Sequence, residues 1–175
     1  MIKKTIVLAA FALTLSTAAQ SQTCICNGGS GTQLTTVAAV QAVLANKMVC
    51  AAVGVEQWQE WHNGVTSGPV VDYKMGPGHP VDPPSAVGTY QVVDLAASPR
   101  ISRAQRAAGA AVAYTYGAKT YTYGVCQTGA TYAFCGAAFG GRDIMGARVS
   151  ATGGLQSCSS VAAASSVPER SRAKP

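Results

Sequence analysis

Charge is scarce in this chain: Asp, Glu, Lys and Arg make up 11 % of 175 residues. The formal net charge is +6, and Lys3, Lys4, Arg170, Arg172 and Lys174 place much of the basic excess at the two ends. The body between them is only slightly basic, so it carries no electrostatic footprint for nucleic acid. Histidine occurs twice, as His62 and His79. There is no H-E-x-x-H, no G-x-S-x-G, no P-loop and no C-x-x-C pair, which removes the common signatures of zinc hydrolysis, serine hydrolysis, phosphate binding and zinc binding. "GAAFGG" at 136–141 is glycine-rich but lacks the strand-turn-helix setting and the following lysine or threonine of a phosphate cradle. No cofactor and no metal is implied. The one sustained apolar run, residues 6–15, is too short to span a bilayer as a helix.

That run has a function of its own. It follows Lys3 and Lys4 and precedes "STAAQSQ", where Thr17 and Ala19 are the small residues before a cleavage site. Residues 1–19 therefore read as a bacterial secretory signal, with a single domain over 20–158 and a low-complexity basic tail, expected to be disordered, over 159–175. The expected address is outside the inner membrane, periplasmic or extracellular, with no membrane span in the mature chain.

All six cysteines, Cys24, Cys26, Cys50, Cys126, Cys135 and Cys158, follow the expected cleavage site. In an exported chain this even count reads as three disulfides. Cys24 and Cys26 are too close in an extended chain to bond each other, so each is expected to bond elsewhere and strap the N-terminus to the domain.

"NGGSG" at 27–31 is expected to be a flexible turn. Leu34, Val37, Leu44 and Met48 recur at helical spacing, with Val40 and Val43 widening the stripe, and Thr35 or Thr36 can cap the helix. A second short helix is expected over 55–62, with Trp58 and Trp61 one turn apart and Asn63-Gly64 as its stop. Residues 64–88 hold Pro69, Pro77, Pro80, Pro83 and Pro84, which excludes a helix or central strand and predicts an ordered loop. "GTYQVVDL" at 88–95 alternates as a strand. Ser98-Pro99 can open a short helix bearing Arg100, Arg103 and Arg106, or the segment is a solvated loop. A further strand is expected around 147–152.

Aromatic residues are only 7 % of the chain, yet "AVAYTYGAKTYTYGV" carries four tyrosines. With "GAKT" as a four-residue turn, Tyr116 faces Tyr121 and Tyr114 faces Tyr123. A second turn at Thr128-Gly129 sets Val125 against Tyr132. Strand periodicity then puts Tyr114, Tyr116, Tyr121, Tyr123, Tyr132 and Phe134 on one face and threonine, alanine and cysteine on the other. In that register Cys135 lies four residues from the position opposite Cys126, about 13 Å along the strand, which disfavours a direct bond between them. The aromatic face can be an exposed platform or the core; the pattern alone permits both.

These elements predict an α+β fold: an N-terminal helix packed on an antiparallel β-meander, stapled by disulfides. The favoured function is a non-catalytic one, a structural or adhesive surface protein that self-assembles through the tyrosine face. A small domain binding extracellular glycans or peptides through Tyr114, Tyr116, Tyr121, Tyr123 and Tyr132 is the first alternative. A secreted hydrolase or toxin using His62, beside Glu60, or His79, beside Asp82, is the second. Glu56 and Glu60 read as a solvated face rather than a carboxylate dyad.

Overall fold

The structure, a computed structural model, describes residue 26 and residues 31–53, 56–73, 85–98, 101–158 and 160–161. The expected signal segment, Cys24, the turn at 27–30, the proline-rich stretch 74–84 with His79 and Asp82, Arg100 and the tail from 162 onward lie outside the described residues. Within them the chain is mostly strand. After β1 (Thr32–Gln33) and α1 (Val37–Leu44) come β2 (Lys47–Val53), β3 (Glu56–His62), β4 (Ser67–Asp72) and β5 (Ser85–Asp94). The single-turn helix α2 (Arg103–Ala107) leads to β6 (Ala110–Tyr116), β7 (Lys119–Thr128), β8 (Thr131–Cys135) and β9 (Ile144–Gly153).

Strands β2 to β9 pair antiparallel with their sequence neighbours, and β9 pairs back onto β2. The eight strands form a closed up-and-down barrel, with β1 pairing the stretch of β7 beyond its β6 partners. This corrects the α+β expectation. The meander is present, but it closes on itself rather than lying open beneath a helix. Register shifts in the β2–β9, β4–β5 and β8–β9 pairs supply the local bends that closure requires.

Two segments account for the error. Residues 56–62 form strand, not helix, with Trp58, Glu60 and His62 on the inward face and Gln59 and Trp61 on the other. The inward residues include an acid and a histidine, so the period of two carries no hydrophobic alternation and the tryptophan spacing imitates a helix. Residues 67–72 form strand despite Pro69. Pro69 lies at the start of the strand, just beyond the β3–β4 pairs, and its carbonyl accepts from Asn63 N at 3.0 Å.

Helix α1 is shorter than its periodic stripe, because Lys47 and Met48 already belong to β2. Thr36 caps it, accepting from Ala39 N at 3.1 Å. The helix packs against β2, β5 and β6 and closes one end of the barrel. Its Val40 and Leu44, both fully buried, join Val70, Tyr90, Val92, Val112 and Val125 in the core. Helix α2 is capped by Ser102 through a capping box with Gln105, not by Ser98-Pro99.

Two disulfides hold the outside of the barrel. Cys26 bonds Cys126 on β7, and Cys50 on β2 bonds Cys158 after β9. Cys135 is also disulfide-bonded, and no described cysteine is free. Val161, just beyond Cys158, is buried, so ordered packing extends past the expected domain end at 158.

Candidate functional site

The first tyrosine hairpin is tighter than its sequence suggests, and the turn of the second is shifted by one residue. The first turn is Gly117-Ala118, which pairs Tyr116 with Lys119, Tyr114 with Tyr121 and Val112 with Tyr123. The second is Gly129-Ala130, which pairs Val125 with Phe134 and Cys126 with Ala133. Gly117 and Gly129 both have φ of +58°, the left-handed region that two-residue hairpins demand. Each register differs from the expected one by two residues. A slip of two preserves the face of every side chain, so the aromatic face survives the correction. The slip also brings Cys135 Sγ to 3.3 Å from Cys126 Sγ, although the bond of Cys126 is to Cys26.

The aromatic face looks inward. Tyr114 is 6 % and Tyr123 9 % exposed, Tyr116 is half-buried, and only Tyr121, at 40 %, reaches solvent. Their rings form one array. Tyr114 stacks on Tyr116 at 6.2 Å, meets Tyr123 edge-on at 5.9 Å and lies 6.4 Å from Phe134. Tyr121 tilts toward Tyr116 at 6.3 Å. Tyr132 packs against the core and is not part of the cavity lining.

The array borders a cavity of about 820 Å³ in the barrel end opposite α1. All eight barrel strands line it: Val49 and Ala51 of β2, Trp58 and Glu60 of β3, Asp72 of β4, Val87 of β5, the tyrosines of β6 and β7, Phe134 of β8 and Ile144 of β9. Arg142, between β8 and β9, stands at the cavity with its guanidinium carbon 5.0 Å from the centre of the Trp58 ring, within cation–π range.

The polar groups inside are few. Tyr116 Oη donates to Glu60, lying 2.8 Å from Oε1 and 2.9 Å from Oε2. Asp72 is the cross-strand partner of Glu60. Burial, with Asp72 adding to it, raises the Glu60 pKa to about 7 against the pull of the Tyr116 hydroxyl. Burial likewise raises Tyr116 and Tyr114, and the negative charge of Glu60 adds to both. Glu60 therefore belongs to the barrel interior, not to a solvated helix face with Glu56.

His62 sits deeper, fully buried, with Nε2 2.8 Å from Tyr114 Oη and its ring edge-on to Tyr90 at 4.8 Å. Burial lowers its pKa to about 4. It does not line the cavity.

Cys26, Cys126 and Cys135 bring three sulfurs within 4.8 Å, but every one is committed to a disulfide, which leaves no thiolate as a ligand. Asp72 and Arg142 are charged site residues the sequence did not single out, and Glu60 was read as a solvated face or as the acid beside His62. The signal available for Glu60 was its alternation with Trp58 and His62. Comparisons with family models, with curated proteins and with solved structures return no match.

Proposed function

We propose that this chain is an exported binding protein that holds one small, largely apolar molecule inside its barrel. The cavity carries the reading. An eight-stranded barrel is just wide enough to be filled by its own side chains or to hold one small ligand. The pocket opens to solvent, and its volume of about 820 Å³ lies within the range of ligand pockets. The walls are aromatic and aliphatic with a few convergent polar groups, the usual composition of such sites. The bonded cysteines fit an oxidising compartment.

The same placement weighs against the other readings. Tyr114 and Tyr123 are too buried to meet a second chain, so assembly through a tyrosine platform draws no support from them. A hydrolase built on His62 draws none either, because that imidazole is buried behind Tyr114 and its low pKa keeps it neutral.

A neutral naphthylamine dye that brightens in apolar surroundings tests the proposal. Saturation at one dye per chain is expected. Ala51→Phe, which fills the cavity from β2, should abolish the signal while the circular dichroism of the barrel is kept. No brightening, or the same brightening in Ala51→Phe, would contradict the proposal.

A further inference from the structure

We propose that the molecule held in the barrel carries a protonated amine, anchored by Glu60 on β3 with Asp72 beside it. This rests on the cavity being a binding site and adds the chemistry of what it takes.

The two acids of the cavity stand together. Glu60 and Asp72 are direct partners on adjacent strands and both line the cavity, so two acids share one wall. Tyr116 reaches Glu60 with its hydroxyl, and Tyr114, Tyr121 and Tyr123 line the same cavity. Among the described residues Arg142 is the basic group of the lining; it lies over Trp58, and its charge also reaches Tyr123. Val49, the β2 partner of Glu60, is apolar. Among the described residues, the neighbouring inward groups with a shifted pKa are Tyr116, Tyr114, Tyr123 and His62, and none of these supplies a positive charge at neutral pH.

Glu60 has acceptor capacity to spare. A carboxylate offers about four lone-pair positions, and the hydroxyl of Tyr116 brings a single proton to share between its two oxygens. In the empty barrel, burial beside Asp72 makes the second negative charge costly, and the carboxyl holds a proton up to about pH 7. An ammonium placed at Glu60 removes that cost: it donates to the open carboxylate positions, and Glu60 releases its proton. Arylalkylamines with an apolar body match both features, namely the acid pair and the apolar remainder of the wall.

The test uses matched molecules titrated calorimetrically into the full, oxidised chain. Each set shares one skeleton, phenylethyl, indolylethyl or biphenylethyl, and ends in an amine, an alcohol or a carboxylate. At pH 8 the amine should bind at least about tenfold more tightly than its alcohol, the gain of one desolvated charge pair. Between pH 8 and pH 6 its affinity should fall by about tenfold as Glu60 takes up its proton, while the alcohol stays level. Glu60→Gln should erase the amine preference, so that amine and alcohol bind alike, with the circular dichroism of the barrel kept. Equal binding of amine and alcohol, or a preference for the carboxylate, would overturn the amine assignment and leave the binding barrel standing. Binding of no member of any set would overturn both.

Discussion

Glu60 and His62 lie two residues apart on β3 and point to the same side, and burial moves them in opposite senses. Folded Glu60 keeps its proton to about pH 7 where its ordinary value is 4.5. Its contribution to stability is full below pH 4.5 and is lost as the pH rises through 7. Folded His62 stays neutral down to about pH 4 where its ordinary value is 6.5, so its contribution is full above 6.5 and is lost as the pH falls toward 4. Between pH 4.5 and 6.5 the two slopes, each about 1.4 kcal/mol per pH unit at most, have opposite signs and cancel. Removing one should expose the other. We predict that urea denaturation of Glu60→Gln shows stability rising by about 2–3 kcal/mol from pH 4.5 to 6.5, relative to the parent over the same range. An unchanged difference would mean that Glu60 does not hold its proton inside the fold.

Among the elements, β6 shows how closely backbone and ring are fitted. A Cβ on Gly88 of β5 would lie 2.4 Å from Thr115 O and 2.7 Å from Cδ1 of the Tyr116 ring. Glycine at this position lets the ring that supports Glu60 lie against the neighbouring strand. Gly88→Ala is expected to cost about 1–3 kcal/mol by overpacking and to displace Tyr116, seen as a changed near-ultraviolet dichroism of tyrosine. Gly117→Ala offers the contrast: its Cβ would meet nothing within 4 Å, so only its φ of +58° opposes the change. It should cost about 1–2 kcal/mol without moving the tyrosine spectrum. Identical spectra in the two variants would contradict the fit of Tyr116 to Gly88.

The same scale shows what was legible. Period-two alternation in 88–95 and 110–135 revealed β5 to β8 and their shared aromatic face. Val40 and Leu44 revealed α1. Strand β3 was hidden because its inward side carries Trp58, Glu60 and His62, a mixture that suits a cavity but breaks the apolar signal of a core. Residues 47–53 were hidden because α1 and β2 run together with only Ala45-Asn46 between them; Asn46 turns the chain with φ of +55°. Asp72 and Arg142 join the site only through closure, a long-range event with no local pattern.

For the whole molecule, closure turns the face question into a geometric one. A tyrosine face on an open meander can be core or platform. In a closed barrel one face must be the lumen, and the outer face takes Thr115, Thr120 and Thr122. The disulfides clamp this barrel from outside. The bond between Cys50 and Cys158 closes a loop with a sequence separation of 108 and ties the segment carrying buried Val161 to β2. The double variant Cys50→Ala, Cys158→Ala should lose about 2–5 kcal/mol, read as a lower midpoint in thermal melting. An unchanged midpoint would show that the clamp adds nothing to the closed state.

Nuclear Overhauser contacts from the bound naphthylamine dye test most directly whether the tyrosine face encloses a ligand. The barrel predicts contacts from the dye to the ring protons of Trp58, Tyr116 and Tyr123, all in the cavity lining. Contacts to the methyls of Thr115, Thr120 and Thr122 instead, with none to those rings, would place the ligand outside the barrel and contradict the account.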